Sequence, residues 1–189
     1  MNESAQPVHP EQISSLAADE VLRYLHLTPE HRVYPLLFRL LQPPAMRFAR
    51  IAVRLDERIG QVGIRQAASE TLSNFFHSWV FEGAERIPAE GPLLITANHP
   101  GGADMIALIA TINRPDLRIV SSDRKIFRAL PNLSRHMIYL PKPEYVSDRM
   151  AAIRTVIHEL RQGLAVFIFP HGKWEPDPEI LPSAVPQYL

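Results

Sequence analysis

The sequence predicts an α/β fold in which a mainly parallel sheet is flanked by helices, with further helices at the N-terminus. From residue 92 onward, short apolar runs typical of buried strands alternate with longer helical stretches, and this alternation favours a parallel sheet. Residues 1–80 show helical periodicity without strands. The 46% hydrophobic content fits one globular domain. We therefore expect a helical region at residues 1–80 and an α/β core at residues 81–189.

The N-terminal region is expected to contain several amphipathic helices. Apolar residues recur at helical spacing over residues 10–27 and again over 66–81, which predicts one helix in each segment. Residues 33–58 interleave apolar side chains with arginines. We expect two short helices there, because Pro43-Pro44 should end or kink the first of them.

The core is expected to contain four strands and three helices. In chain order these are strand 92–97, helix 104–112, strand 117–121, helix 125–130, strand 137–140, helix 147–162 and strand 164–169. Residues 170–189 carry several prolines and no further βα unit. We therefore expect the last strand to lack a neighbour on one side, which leaves open a chain truncated at its C-terminus.

Composition narrows the function classes. The formal net charge is zero, which argues against nucleic-acid binding. The chain has no cysteine, which excludes disulfides, thiolate metal ligands and a cysteine nucleophile. The N-terminus does not read as a signal peptide, and no apolar run reaches the roughly 18 to 20 residues that span a bilayer. We expect a cytoplasmic protein whose membrane contact, if any, is peripheral.

The segment 98–104 (NHPGGAD) sets a histidine and a carboxylate five residues apart, between the first predicted strand and the helix after it. Strand ends in α/β sheets are where ligands bind. His99 is therefore a candidate general base and Asp104 the group that orients it. No Gly-x-Ser-x-Gly elbow is present, so the activated hydroxyl would belong to the substrate. The alternative is that Asp104 caps the helix beside an incidental His99.

A second candidate segment, 167–175 (FIFPHGKWE), follows the last predicted strand. In a parallel sheet this strand end lies on the same edge as His99, so Lys173 can meet an anionic group there. The alternative is a polar surface turn. Cations also follow two other strands, where they either bind phosphate or are ordinary surface charges; these are Arg124, Lys125, Arg128, Arg135 and Lys142.

A metal site would have to combine His99, Asp104 and His171. Asp104 would then face the ion instead of His99, and no short-spaced pair of the His-Glu-x-x-His type occurs. We expect no metal.

With these residues in view, the chain resembles the glycerolipid acyltransferase family that includes the 1-acylglycerol-3-phosphate acyltransferases. The hallmark of that family is Asn-His-x-x-x-x-Asp, which Asn98, His99 and Asp104 match in spacing. The resemblance implies that His99 activates an acceptor hydroxyl for attack on an acyl thioester and that Asp104 assists it. The donor would be acyl-CoA or acyl carrier protein, used as a substrate, so no cofactor is expected.

Two further family blocks are matched less closely. Ile138-Tyr-Leu-Pro-Lys142 resembles an Ile-x-Val-x-Arg block, and residues 169–175 resemble Phe-Pro-Glu-Gly-Thr-Arg-Ser with His171 in place of the acidic residue linked to acceptor binding. The resemblance implies a set of substrate-binding residues, namely Asn98, Gly101, Gly102, Lys142, His171, Gly172 and Lys173. It also implies a lysophospholipid-like acceptor in phospholipid biosynthesis.

The resemblance bears on location as well. In related enzymes N-terminal helices help to dock the catalytic domain on a membrane, and the arginine-rich stretch 33–58 suits such a location at the inner face. The alternative is that these helices cap the sheet. Two other functions stay open, a noncatalytic lipid- or anion-binding module of the same fold and a thioester hydrolase.

Overall fold

A four-stranded, all-parallel sheet forms the centre of the α/β part of the chain. In this computed structural model, which describes residues 8–99, 101–141, 146–170 and 172, the strands are β1 (Leu93–Thr96), β2 (Arg118–Ser122), β3 (Met137–Leu140) and β4 (Ala165–Ile168). Their order across the sheet is β1-β4-β2-β3, and every neighbouring pair is parallel. The α/β fold with a parallel sheet is therefore confirmed.

The expectation that the last strand lacks a neighbour is wrong. Strand β4 lies inside the sheet, where it pairs with β1 on one side and β2 on the other. Ala165, Val166 and Phe167 are accordingly fully buried. Chain order did not reveal this position, because pairing of β4 with β1 joins segments about 70 residues apart, such as Leu93 and Ala165.

Three helices belong to the same unit as the sheet. They are α3 (Ile64–Leu72), α4 (Asp104–Thr111) and α7 (Val146–Arg161). Val156 and Leu160 of α7 pack on an apolar cluster formed by Val120, Ile138 and Val166 of the sheet. Helices α3 and α4 contact each other. A short 3₁₀ helix, Ala84–Arg86, precedes β1.

The described residues form two compact units, one within residues 62–123 and 136–172 and the other within residues 8–61 and 124–135. The second unit contains α1 (Pro10–Tyr24), most of α2 (Tyr34–Val62), α5 (Lys125–Arg128) and α6 (Pro131–Ser134). Within it, the buried Asp56 of α2 accepts hydrogen bonds from the Leu133 N–H and the Asn132 amide of α6. Burial raises the pKa of the Asp56 carboxyl.

The expected break at Pro43-Pro44 does not occur, since α2 is one helix of 29 residues. A proline inside a helix leaves the carbonyl four residues before it without a partner. Here those carbonyls belong to Arg39 and Leu40, which are exposed like the two prolines, so water can satisfy them. The buried side of α2 beyond them, which includes Ala45 and Ala49, packs without interruption.

Helices α1, α3 and α5 end earlier than expected. Helix α3 ends at Leu72 instead of residue 81, because Ser73 and Asn74 donate side-chain hydrogen bonds to the carbonyls of Glu70 and Thr71. The helix expected over residues 125–130 is α5, which is followed by α6 beginning at Pro131. Across the described ranges, no helix is long and apolar enough to cross a membrane.

The amino ends of three strands are joined by one buried arginine. The Arg114 side chain, 1% exposed, donates two hydrogen bonds to the Asp116 carboxylate at 2.7 and 2.8 Å. It also donates to the carbonyls of Pro88 and Gly91 before β1 and of Gly163 before β4. The hydrogen bonds from Arg114 hold the pKa of Asp116 below its ordinary value.

Candidate active site

His99 and Asp104 meet at the carboxyl end of β1. The Nδ1 atom of His99 lies 2.6 Å from Oδ2 of Asp104, which confirms the predicted contact. A carboxylate accepts hydrogen bonds, so Nδ1 carries the proton and Nε2 is the nitrogen that can accept one. The two side chains are 22% and 13% exposed, which places the pair in a partly desolvated position that solvent can still reach.

Asp104 also organises the turn that carries His99. Its Oδ2 accepts the Gly101 N–H at 3.1 Å, and its Oδ1 accepts the Met105 N–H at 2.6 Å in the first turn of α4. The first N–H groups of a helix have no partner inside it, and a carboxylate there interacts favourably with the helix dipole. Asp104 is thus not the N-cap of α4, which is Ala103, but as the first helical residue it binds one N–H of the first turn and also holds His99.

Phe169 also contacts the His99 ring. The ring centroids are 4.1 Å apart and the planes differ by 7°, which is a face-to-face stack. Phe169 follows β4 directly and packs edge-on against Phe167, whose side chain is fully buried. The imidazole is thus held at one edge by Asp104 and on one face by a side chain anchored in the core.

The register of the sheet explains this meeting. Thr96 pairs with Ile168, and the Ala97 N–H donates to the carbonyl of Ile168. The segments that leave β1 and β4 therefore start side by side at the same edge, as expected for parallel strands. Sequence reasoning included Phe169 in a motif but gave it no role. The signal was its place immediately after a strand that ends at the same edge as β1.

A family model described as Acyltransferase matches residues 78–184, which is more than half of the chain. The chain belongs to this acyltransferase family. The matched range contains both His99 and Phe169. No curated protein and no solved structure matches the chain.

The other residues expected at the acyltransferase site are only partly described. Asn98 and Gly102 are exposed beside His99, while the Gly101 N–H is engaged with Asp104. Gly172 donates its N–H to the Phe169 carbonyl at a φ of 65°, a turn conformation that favours glycine. Lys142, His171 and Lys173 lie outside the described residues, and their substrate-binding roles stay predictions.

The metal interpretation gains no support from the described part of the chain. Among those residues, no group of three or more His, Asp or Glu side chains is arranged to hold a metal ion. His171, the third ligand considered, lies outside them. The contacts of Asp104 explain its orientation without an ion, since it faces His99 Nδ1 and two backbone N–H groups.

Proposed function

We propose that the protein transfers a fatty acyl group from acyl-CoA or acyl carrier protein to a hydroxyl of a lysophospholipid-like acceptor in phospholipid biosynthesis. The observation that carries this proposal is the 2.6 Å contact between His99 Nδ1 and Asp104 in a chain of the acyltransferase family. A histidine oriented in this way by a carboxylate is suited to take a proton from an alcohol. The donor is a substrate, and the chemistry needs no bound cofactor.

The reaction is a direct transfer. The acceptor hydroxyl oxygen attacks the thioester carbonyl carbon while its proton passes to Nε2 of His99, and Asp104 stabilises the imidazolium that forms. The tetrahedral intermediate then collapses, the carbon–sulfur bond breaks, and His99 returns the proton to the leaving thiolate. The products are an ester and a free thiol. No acyl-enzyme forms, which agrees with the absence of cysteine from the chain.

The oxyanion of the intermediate needs hydrogen-bond donors near the turn. In the proposal the turn at Gly101 and Gly102 supplies a backbone N–H for this purpose, and Asn98 serves as a substrate-binding group. Because the Gly101 N–H donates to Asp104, Gly102 is the glycine whose N–H we assign to the oxyanion. Gly172 would keep the turn after β4 tight enough for substrate to approach.

The anionic part of the acceptor is assigned to the cations that follow β3 and β4. In this proposal Lys142 and Lys173 bind its phosphate, and His171 faces the acceptor where the family pattern has an acidic residue. Replacing Lys173 with alanine should raise the acceptor KM about tenfold, the loss of one charge-assisted contact of about 1.5 kcal/mol, and leave the donor KM unchanged. Equal effects on the KM of both substrates, or no effect, would indicate that Lys173 is an ordinary surface residue that does not bind the acceptor.

A peripheral membrane contact at the inner face is part of the proposal. The α2 helix exposes Leu36 and Leu40, and four arginines on it are also exposed, namely Arg39, Arg47, Arg50 and Arg54. No acidic residue occurs from residue 31 to 55. An apolar and cationic surface of this kind suits an anionic bilayer. Sedimentation with vesicles of phosphatidylglycerol should retain the protein, and vesicles of phosphatidylcholine should retain much less.

The activity itself is tested by incubating the full-length protein with an acyl-CoA and a panel of acceptors, then reading the products by mass. The panel contains lysophosphatidic acid, a lysophospholipid with a zwitterionic headgroup and a neutral alcohol. If the wild-type protein acylates lysophosphatidic acid and the His99→Ala variant does not, the result supports the proposal. Free fatty acid alone would identify a thioester hydrolase. If no product forms with any donor, including acyl groups bound to a carrier protein, the result would favour the noncatalytic binding module.

A further inference from the structure

We propose that Phe169 is a positioning residue, whose ring sets the plane of the His99 imidazole and so directs Nε2 toward the acceptor hydroxyl. The inference rests on the proposed function for its catalytic consequence. The orientation of the ring is a property of the free protein and is measured separately.

The Asp104 contact alone leaves the tilt of the imidazole plane undetermined. The hydrogen bond from Nδ1 to Oδ2 of Asp104 holds one edge of the imidazole, but a hydrogen bond tolerates a small turn of the ring about its Cβ–Cγ bond. That turn moves Nε2, which lies on the far side of the ring. A contact on the ring face opposes it, and the Phe169 ring lies on that face, 4.1 Å away with the planes 7° apart.

Phe169 is itself held in place by a neighbouring aromatic ring. Its ring packs edge-on against Phe167 with a centroid distance of 4.7 Å and an interplanar angle of 79°, a favourable geometry for two aromatic rings. Phe167 is fully buried in β4, which is paired on both sides. The orientation of His99 is thus connected to the most buried strand of the sheet.

The expected consequence is an effect on turnover and not on binding. A misplacement of about 1 Å at a reacting atom can cost about 100-fold in rate. Phe169→Leu should therefore lower kcat about 10- to 100-fold, with the KM of donor and acceptor within about twofold of wild type. Phe169→Tyr keeps the ring and should retain activity within about threefold. The matched control is Phe75→Leu, a change at an exposed phenylalanine, which should leave kcat unchanged.

The orientation is read by NMR on the imidazole C–H groups in the absence of substrate. The signals missing from the His99→Gln spectrum identify the ring, and a stacked phenyl group shifts them upfield. Phe169→Leu and Phe169→Met should both remove that shift, Phe169→Tyr should keep it, and Phe75→Leu should not affect it. Because both Phe169→Leu and Phe169→Met are measured, the test still gives an answer if one of the two variants folds poorly.

The two readouts separate the two ideas. Unchanged His99 signals in both the Leu and the Met variant would overturn the positioning role, whatever the activity. Loss of the upfield shift of the His99 signals with kcat unchanged would overturn it as well, since the orientation of the imidazole would then have no effect on turnover. If wild type transfers no acyl group to any acceptor, the proposed function fails and with it the catalytic consequence, while the NMR result still decides the orientation.

Discussion

Each end of the sheet carries an aspartate paired with a basic side chain, but the two pairs differ in burial and in their hydrogen bonds. At the amino end, Arg114 is buried, engages both oxygens of Asp116, and ties together the backbone before β1 and β4. At the carboxyl end, His99 meets Asp104 through one nitrogen and remains 22% exposed. In the first arrangement the guanidinium donates to a carboxylate and to three backbone carbonyls, while in the second a carboxylate orients an imidazole, a group that can exchange a proton.

Helix α4 connects these two arrangements, since Asp104 lies at its start and Arg114 two residues beyond its C-terminal flank at Ile112. The difference teaches that a short ion pair is not by itself a sign of function. What distinguishes the ends is burial and the kind of side chain: Arg114 is 1% exposed and keeps its proton, whereas His99 is 22% exposed and an imidazole can exchange a proton. The contrast predicts that substitutions at the amino end lower stability, and that substitutions at the carboxyl end lower activity.

The largest effect is expected for His99→Ala. Removing a general base costs up to about 10⁴-fold in kcat, whereas a partly exposed side chain at a strand end contributes little to folding. We expect the free energy of unfolding to stay within about 1 to 2 kcal/mol of wild type. Steady-state kinetics and urea unfolding on the same preparation check both values. Near-wild-type turnover would eliminate the proposed mechanism.

Arg114→Met should produce the opposite result. The substitution leaves Asp116 without its partner and three carbonyls without their donor, a loss of about 3 to 5 kcal/mol for a buried pair. Asp116 is 35% exposed and can be solvated in part, so we expect a value near 3 kcal/mol by urea unfolding. Arg23→Met removes the solvated Arg23–Asp19 pair and serves as the control, for which we expect no measurable change. A stable Arg114→Met protein with low kcat would break the comparison.

Asp104→Asn tests the carboxyl end without removing the base. The amide cannot accept from the Gly101 N–H, the Met105 N–H and His99 Nδ1 together, and it favours the wrong imidazole tautomer. We expect kcat to fall about 100- to 1,000-fold. Asp116→Asn is the matched control at the other end and should lower stability with little change in kcat. Similar kinetic losses in both variants would show that the two aspartates are not functionally distinct.

These contrasts also separate what the sequence predicts from what it does not. The contact of His99 with Asp104 is local, because a strand, a turn and a helix start bring positions five apart together, and the motif predicts it. The stack of His99 on Phe169 depends on the register of β1 against β4, which no local pattern encodes. The Arg114 contacts are even harder to predict from sequence, because three of its acceptors are backbone carbonyls and every residue type carries one.

The same difference between local and long-range contacts explains which predictions of the fold were wrong. The order of strands and helices follows from local apolar patterns, so it could be predicted. The position of β4 inside the sheet and the passage of α2 through Pro43 and Pro44 both depend on what packs against those segments. Tertiary contacts can override local propensity, as in α2, where half-buried side chains such as Leu37 and Leu41 before the prolines lead into a buried side that begins at Ala45.

The smallest expected effect concerns His136, which lies before β3 at the amino end. Its Nδ1–H donates to the Leu117 carbonyl at 2.9 Å, and burial lowers its pKa below the ordinary value of about 6.5. As the pH falls through 6.5, the unfolded chain binds a proton that the native state resists, so this residue makes the protein less stable at acid pH. His136→Asn keeps a side-chain N–H donor but cannot titrate. Its free energy of unfolding should therefore decline less than that of wild type between pH 7.5 and 5.5, as measured by urea unfolding. All other histidines are common to both proteins, so an identical decline would show that His136 takes up its proton equally well in the folded and unfolded states.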